Sequence, residues 1–262
     1  MPQAQTHYSE QLLVVDGYTP LPRWYDLVPF RLSPHMSSAQ GRASFRARFK
    51  IPSEATVYAC LQTLFKVDPR MDQVAAKVLR GHPGSVVLFK ELPMTAWVGK
   101  QVIDRLRKTL SAEELQRVVF MPPLSDQDYN DAYLVVDVLI DSFPFGGHTT
   151  SMDAFSAGCP VVTMPTDFMS GRCTQGFLKF MGLGELVVDS IDALVETSLK
   201  LGKDRGYRER IVTTIREKLP LLIRDETSSH QWRNLLLAAG REGHTGLTRW
   251  ASASGERKVT GG

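Results

Sequence analysis

The chain has 262 residues, enough for one large domain or two small ones with a proper core. Hydrophobic residues at 43% and charged residues at 23%, with Gly 20 and Pro 15, exclude a disordered or collagen-like chain. A net charge of +3 is too balanced to draw nucleic acid or a membrane surface by charge alone, so neither is expected as a partner.

Residues 1 to about 50 read poorly as regular structure, because YTPLPRWYD and RLSPHMSSAQG supply turn and loop signals, and 1–55 is expected to be a connector. From Thr56 the pattern changes. TVYACLQ is a β-rich run, and Met71, Val74, Ala75, Val78 and Leu79 then recur at helical spacing until HPG stops the helix. SVVLFKE (85–91) predicts the next strand, Val98 to Leu110 a helix, and RVVFMPP (117–123) a third strand. Ser125 is placed to cap a helix running through Tyr133.

VDVLIDSF (136–143) is a nearly unbroken apolar run, as expected of a parallel strand covered on both faces, and PVVTMP (160–165) is another. Between them, in GGHTTSMDAFSAG, two glycines turn the chain and Thr149 or Thr150 can cap a short helix that Gly158 ends. A helix over about 168–181, a short strand ELVV, and helices over 190–202, 204–217 and about 226–239 complete the pattern. The tail from 243 to 262 is small and polar and is expected to be disordered.

Strands alternating with helices predict an α/β fold, a doubly wound parallel Rossmann-like sheet over 56–242. Ligands in that architecture bind at the carboxyl ends of the strands, which directs attention to the loops after Gln62, Glu91, Pro122, Phe143 and Pro165. In one of them Gly146 and Gly147 let backbone approach a ligand, and the N–H groups of Thr149 and Thr150 at a helix start make an anion site suited to phosphate. His148 can donate as well, and Asp153, one turn on, can accept from a ribose hydroxyl. The same string also reads as an ordinary strand-to-helix turn with threonine capping. Lys66 lies at the same sheet edge, where a cation offsets charge growing on a departing diphosphate, and Arg172 is a second candidate phosphate partner. Tyr129 and Phe145 are aromatic enough to stack on a base, though such residues also serve as core.

Cys60, Cys159 and Cys173 form an odd set without CxxC spacing, which points to buried thiols in a reducing compartment, cytoplasmic or nuclear, rather than to a disulfide framework or a zinc site. The longest apolar stretch, Tyr133 to Ile140, is cut by Asp137 and is far too short to cross a membrane, and the first residues resemble no secretory signal. No P-loop, dinucleotide fingerprint, HExxH or GxSxG string is present.

The string VDVLIDSFPFGGHTTSMDAFSAGCPVVTMP, followed by MSGRCTQGFLKFMGLGELV, resembles the C-terminal half of the O-linked N-acetylglucosamine transferase family. TLFKVDP, VLRGHPGSVVLFKE and VVFMPPLSDQDY stand in register with it, and the likeness begins near HYSEQL at 7–12. The resemblance implies the donor-binding lobe of a GT-B enzyme that moves N-acetylglucosamine from its uridine diphosphate onto protein Ser or Thr without a metal or other cofactor. It implies a catalytic role for Lys66 at the diphosphate and a phosphate trio of His148, Thr149 and Thr150. It also assigns Asp153 to the ribose, and Gly146, Gly147, Thr63, Leu124, Tyr129 and Arg172 to the rest of the donor site. Thr63 stands where animal members carry glutamine, Asp126 replaces a lysine, Tyr129 a base-stacking histidine and Ala132 an arginine. The alternatives implied are a relative that uses a guanosine diphosphate fucose donor, and a non-catalytic nucleotide-sugar-binding module. An unrelated α/β phosphate-binding protein is the reading outside the family. Family members also carry tetratricopeptide repeats and an acceptor-facing lobe, through which a protein acceptor would be engaged. Only about 55 residues precede the first strand here, so the chain is expected to be a fragment or a stand-alone lobe.

Overall fold

In a computed structural model the chain is described over residues 33–91, 96–223 and 229–237, with Thr6, Tyr8, Ser9, Glu226, Thr227 and Gly240. Packing divides it into two compact units, Trp24–Leu222 and a second formed by Met1–Arg23 with Ile223–Gly262. In the second unit residues 229–237 are helical, within the helix expected over 226–239, and the expected disordered tail lies outside the described residues.

The larger unit is built on five parallel strands: β1 (Thr56–Thr63), β2 (Ser85–Lys90), β3 (Val118–Met121), β4 (Val138–Ile140) and β5 (Val161–Val162). Their order is β3-β2-β1-β4-β5. The chain therefore winds outward in one direction from β1 through β3, then returns to the other side of β1 for β4 and β5, and the reversal opens a crevice between β1 and β4 at their carboxyl ends. Residues 57–62 of β1 and all of β4 are buried, as a sheet covered on both faces requires.

The covering helices follow from the apolar spacing. In α2 (Arg70–Gly81), Met71, Val74, Ala75, Val78 and Leu79 are all buried. A carboxylate is buried beside them: Asp72, 3% exposed, accepts from Nη2 of Arg105 at 2.9 Å and ties α2 to α3 (Ala96–Thr109). A short α4 (Ala112–Leu115) precedes β3, closed by a capping box in which Ser111 and Glu114 each satisfy the other's backbone amide. Ser125 caps α5 (Asp126–Ala132) by accepting from the Asp128 amide at 3.1 Å. The later helices are α6 (Thr149–Ser156), α7 (Cys173–Phe180), α8 (Ile191–Lys203) and α9 (Arg205–Ile223).

Three expectations change. The stretch read as irregular includes a short 3-10 turn, Pro34–Ser37, and α1 (Ala39–Arg48), capped by Ser38. Long-range contacts hold this segment to the lobe. Arg46 donates to the carbonyls of Ala55 and Val135, Arg48 pairs with both carboxylate oxygens of Asp128, and the Ser33 amide donates to the buried Asp131. Residues 34–55 are thus part of the folded lobe, not a connector. ELVV is not a strand: Gly184–Leu186 forms a 3-10 turn, and only Val187 makes an isolated parallel bridge to Thr163. Cys60 and Cys159 are buried, but Cys173 is half-exposed. Among the described residues no helix is long and apolar enough to cross a membrane.

Candidate donor-binding site

The crevice between β1 and β4 is walled by the turns that leave these strands. After β1 a 3-10 turn, Leu64–Lys66, is anchored by Leu64, which is 1% exposed, and carries Lys66 to the rim. After β4 the chain runs through Ser142–His148 into α6. Side chains from the two walls meet across the crevice. Nζ of Lys66 stands 4.0 Å from the centroid of the Phe145 ring, a cation–π contact across the mouth. Deeper in, Nε2 of Gln62 donates to Oγ1 of Thr150 at 2.9 Å.

Asp141, at the carboxyl end of β4 and 3% exposed, shapes the second wall. Its Oδ1 accepts from the Gly147 amide at 2.7 Å and its Oδ2 from the Thr163 hydroxyl at 2.9 Å, so one carboxylate folds the glycine turn back on the strand end. Burial pushes the Asp141 carboxyl up, and these hydrogen bonds oppose the shift. The Thr174 hydroxyl of α7 donates to the Gly147 carbonyl at 3.0 Å, so the peptides on both sides of this glycine are held.

The paired glycines also answer to the packing of the turn itself. A Cβ on Gly146 would press on Oδ2 of Asp141 at 3.0 Å, and one on Gly147 would collide with Oγ1 of Thr150 at 2.6 Å, so the turn's own packing leaves little room for side chains. The cap also differs. His148, not a threonine, is the N-cap residue of α6, and its side chain makes no capping bond, which leaves Thr149 and Thr150 as the first two helical residues. Their amides lack an intrahelical acceptor by position and lie at the positive end of the helix dipole. The His148 ring rests edge-on against Phe177, 5.4 Å between centroids, and burial lowers its pKa below the ordinary histidine value.

The other expected residues divide between the crevice and its flanks. Asp153 is one turn into α6, 8% exposed. Thr63 ends β1 and pairs in register with Lys90, at the end of β2. Leu124 is half-buried in the loop before α5, and Asp126 is exposed. Tyr129 donates to or accepts from the buried Tyr133 hydroxyl at 2.6 Å, and Nζ of Lys90 stands 3.7 Å over its ring. Ala132 is fully buried. Arg172 is the N-cap residue of α7, beyond β5, and follows the 3-10 turn Met169–Gly171, whose Ser170 carbonyl accepts from the Gly146 amide at 2.9 Å. Sequence reasoning missed Gln62, Asp141 and Lys90. The signal for Asp141 was present, since a lone carboxylate closing an apolar parallel strand needs partners in the following turn. A cleft of about 610 Å³ opens beside Lys66, walled by Phe65, Trp97, Arg105, Pro144 and Phe145 among others.

The sequence model of glycosyl transferase family 41 matches residues 38–223, which takes in every group just described. The chain belongs to glycosyl transferase family 41. It corresponds to the C-terminal half of the O-GlcNAc-transferase-type enzymes of that family and has their GT-B lobe fold. A UDP-N-acetylglucosamine–peptide N-acetylglucosaminyltransferase of Caenorhabditis elegans is 29% identical over 62% of this chain and 14% of its own length. A probable enzyme of the same description from Hordeum vulgare, SPINDLY, is 29% identical over 61% of this chain and 17% of its own. The chain thus spans about a sixth of the curated family 41 relatives it matches. Among solved structures, a mutant of the Thermobaculum terrenum O-GlcNAc transferase superposes with a TM-score of 0.72 at 23% identity, covering 95% of this chain and 44% of that one. The lipopolysaccharide glycosyltransferase WaaG follows at 0.57 and 14% identity, covering 98% and 60%. The family 41 match begins at residue 38, close to α1, so the segment at 7–12 lies outside it.

Proposed function

We propose that this lobe binds the nucleoside diphosphate sugar of a protein O-glycosyltransferase, with UDP-N-acetylglucosamine as donor and protein Ser or Thr hydroxyls as acceptors. What carries the reading is that Lys66, on the turn after β1, and His148 with the α6 amides of Thr149 and Thr150, on the turn after β4, stand on the two sides of one crevice. A diphosphate seated there meets helix N–H groups, a lysine and two threonine hydroxyls. When an acceptor hydroxyl attacks the anomeric carbon, the carbon–oxygen bond to the diphosphate breaks and negative charge moves onto the leaving phosphate. Groups already aimed at that phosphate stabilise the charge as it grows, and this is Lys66's catalytic role. The cleft beside Lys66 has room for the sugar. Asp153 lies where the nucleoside half would extend, one turn along α6 from the phosphate site.

In this reading the diphosphate is neutralised by protein groups, so no metal or other cofactor is required. The acceptor is engaged through parts of the family that the match to this chain does not cover. Three cysteines without a disulfide among the described residues are in keeping with the cytoplasm or nucleus. The test is calorimetry of the chain with uridine, guanosine and adenosine diphosphates in the presence of chelator. Uridine diphosphate is expected to bind, and Lys66→Ala to weaken it. A preference for guanosine diphosphate would redirect the donor to a guanosine sugar, and no binding of any of the three would remove the donor-site reading.

A further inference from the structure

The sheet order places a second polar cluster at a different gap from the first. Lys66 and Phe145 bridge the turns after β1 and β4, whereas Lys90 and Tyr129 bridge the end of β2 and the helix that follows β3. Lys90 is in register with both Thr63 of β1 and Met121 of β3, so it sits on the carboxyl edge between two neighbouring strands. Residues 85–89 of β2 are buried, and Lys90 is the first to emerge.

Lys90 is held there as a placed donor. Its ammonium lies 3.7 Å over Tyr129, whose ring is immobilised by its 2.6 Å hydrogen bond and edge contact with the buried Tyr133. Among the described residues its ammonium makes no hydrogen bond or ion pair, and its N–H groups can only donate. Burial lowers the Lys90 pKa and the nearby charge of Asp153 opposes that shift, which places the carboxylate of α6 within electrostatic reach. Asp153 accepts and Lys90 only donates, so the two offer opposite hydrogen-bonding chemistry to one ligand.

A nucleotide whose diphosphate lies at Thr149 and Thr150 has its other flank, toward Lys66, taken by Phe145 and the cleft beside it. Its nucleoside then extends past Asp153 toward Lys90 and Tyr129. We propose that Lys90 is a specificity-determining residue of the donor site, donating to a keto oxygen of the base while Asp153 accepts from the ribose. This rests on the donor-site reading above. An ammonium cannot accept from an exocyclic amino group, so uracil and guanine, with O4 and O6, are favoured over cytosine and adenine, which carry N–H₂ at the corresponding positions.

The experiment measures binding of UDP, GDP, CDP, ADP and inorganic pyrophosphate to the full chain, to Lys90→Met, which keeps an apolar stem, and to Lys90→Arg. The unaltered chain is expected to favour the two keto nucleotides by about tenfold, the scale of a hydrogen bond from a charged donor. Lys90→Met should erase that ranking while leaving pyrophosphate affinity unchanged, and Lys90→Arg should keep it. A ranking that survives in Lys90→Met overturns the inference. Equal weakening of all four nucleotides, or loss of pyrophosphate binding with them, overturns it too, by assigning Lys90 to the ribose, the phosphate or the fold. An unaltered chain that binds all four alike refutes the specificity claim alone, whereas one that binds neither nucleotide nor pyrophosphate refutes the donor site beneath it.

Discussion

In the proposed donor site His148 is a proton-linked contact. Burial holds its pKa below the ordinary histidine value, so in the free lobe near neutral pH the imidazole is uncharged and one ring nitrogen is an acceptor. A phosphate oxygen at the start of α6 favours the imidazolium, which raises the pKa in the complex. The bound state then holds more protons than the free state between the two values. Affinity should therefore rise as pH falls through that window, and the advantage should vanish above the bound value. Titrating UDP into the chain in buffers of different ionisation enthalpy counts the protons taken up. His148→Asn is expected to remove the uptake, and an unchanged count in that variant would assign it to the nucleotide's own phosphate. Residue by residue, the candidate phosphate contacts are legible in GGHTT because a turn followed by a helix start exposes amides by geometry alone. Lys90 is not legible, because the run SVVLFKE says only that a strand ends there. Its position over Tyr129 depends on the pairing of β2 with β3 and on the packing of α5, which no local pattern encodes.

At the scale of elements, strand and helix positions from Thr56 onward follow the apolar periods, since a parallel sheet buried on both faces leaves continuous runs and its covering helices leave stripes. The misses have separate causes. The α1 segment is polar and interrupted by Gly41, and its helix persists through tertiary bonds from Arg46 and Arg48; Gly41 itself is required because a Cβ there would collide with the His35 backbone. ELVV has strand-forming residues but lies past β5, where only one bridge forms. The turn from β4 to α6 gives the sharpest test at this scale. A Cβ at Gly147 would lie 2.6 Å from Oγ1 of Thr150 and 3.2 Å from Nε2 of Gln62, in the bond that joins the two walls of the crevice. Gly147→Ala should therefore displace the first turn of α6 and abolish measurable UDP binding, while costing about 1–3 kcal/mol of stability, as overpacking of one methyl does. Thermal melting and calorimetry on the same sample separate the effects. Undiminished UDP affinity would show that this turn does not face the nucleotide.

For the whole molecule, the division of the chain has a consequence for where its functional surface resides. Every group proposed to bind or read the donor, from Thr63 to Arg172, lies inside the compact unit Trp24–Leu222, and the match to glycosyl transferase family 41 spans nearly the same stretch. That unit has its own five-stranded sheet, with buried apolar side chains on α2, α6, α7 and α8, as a separately folding domain requires. A polypeptide of residues 24–222 is therefore expected to unfold in one cooperative transition and to bind UDP within about threefold of the full chain, a difference of under about 1 kcal/mol. The cut removes Ile223, the last residue of α9, where the ladder of backbone hydrogen bonds is already interrupted by Pro220 and least is lost. Urea denaturation followed by two spectroscopic probes, with calorimetry on the folded polypeptide, decides the matter. Non-coincident transitions or a loss of UDP affinity beyond tenfold would mean that the second unit supplies part of the core or part of the donor site.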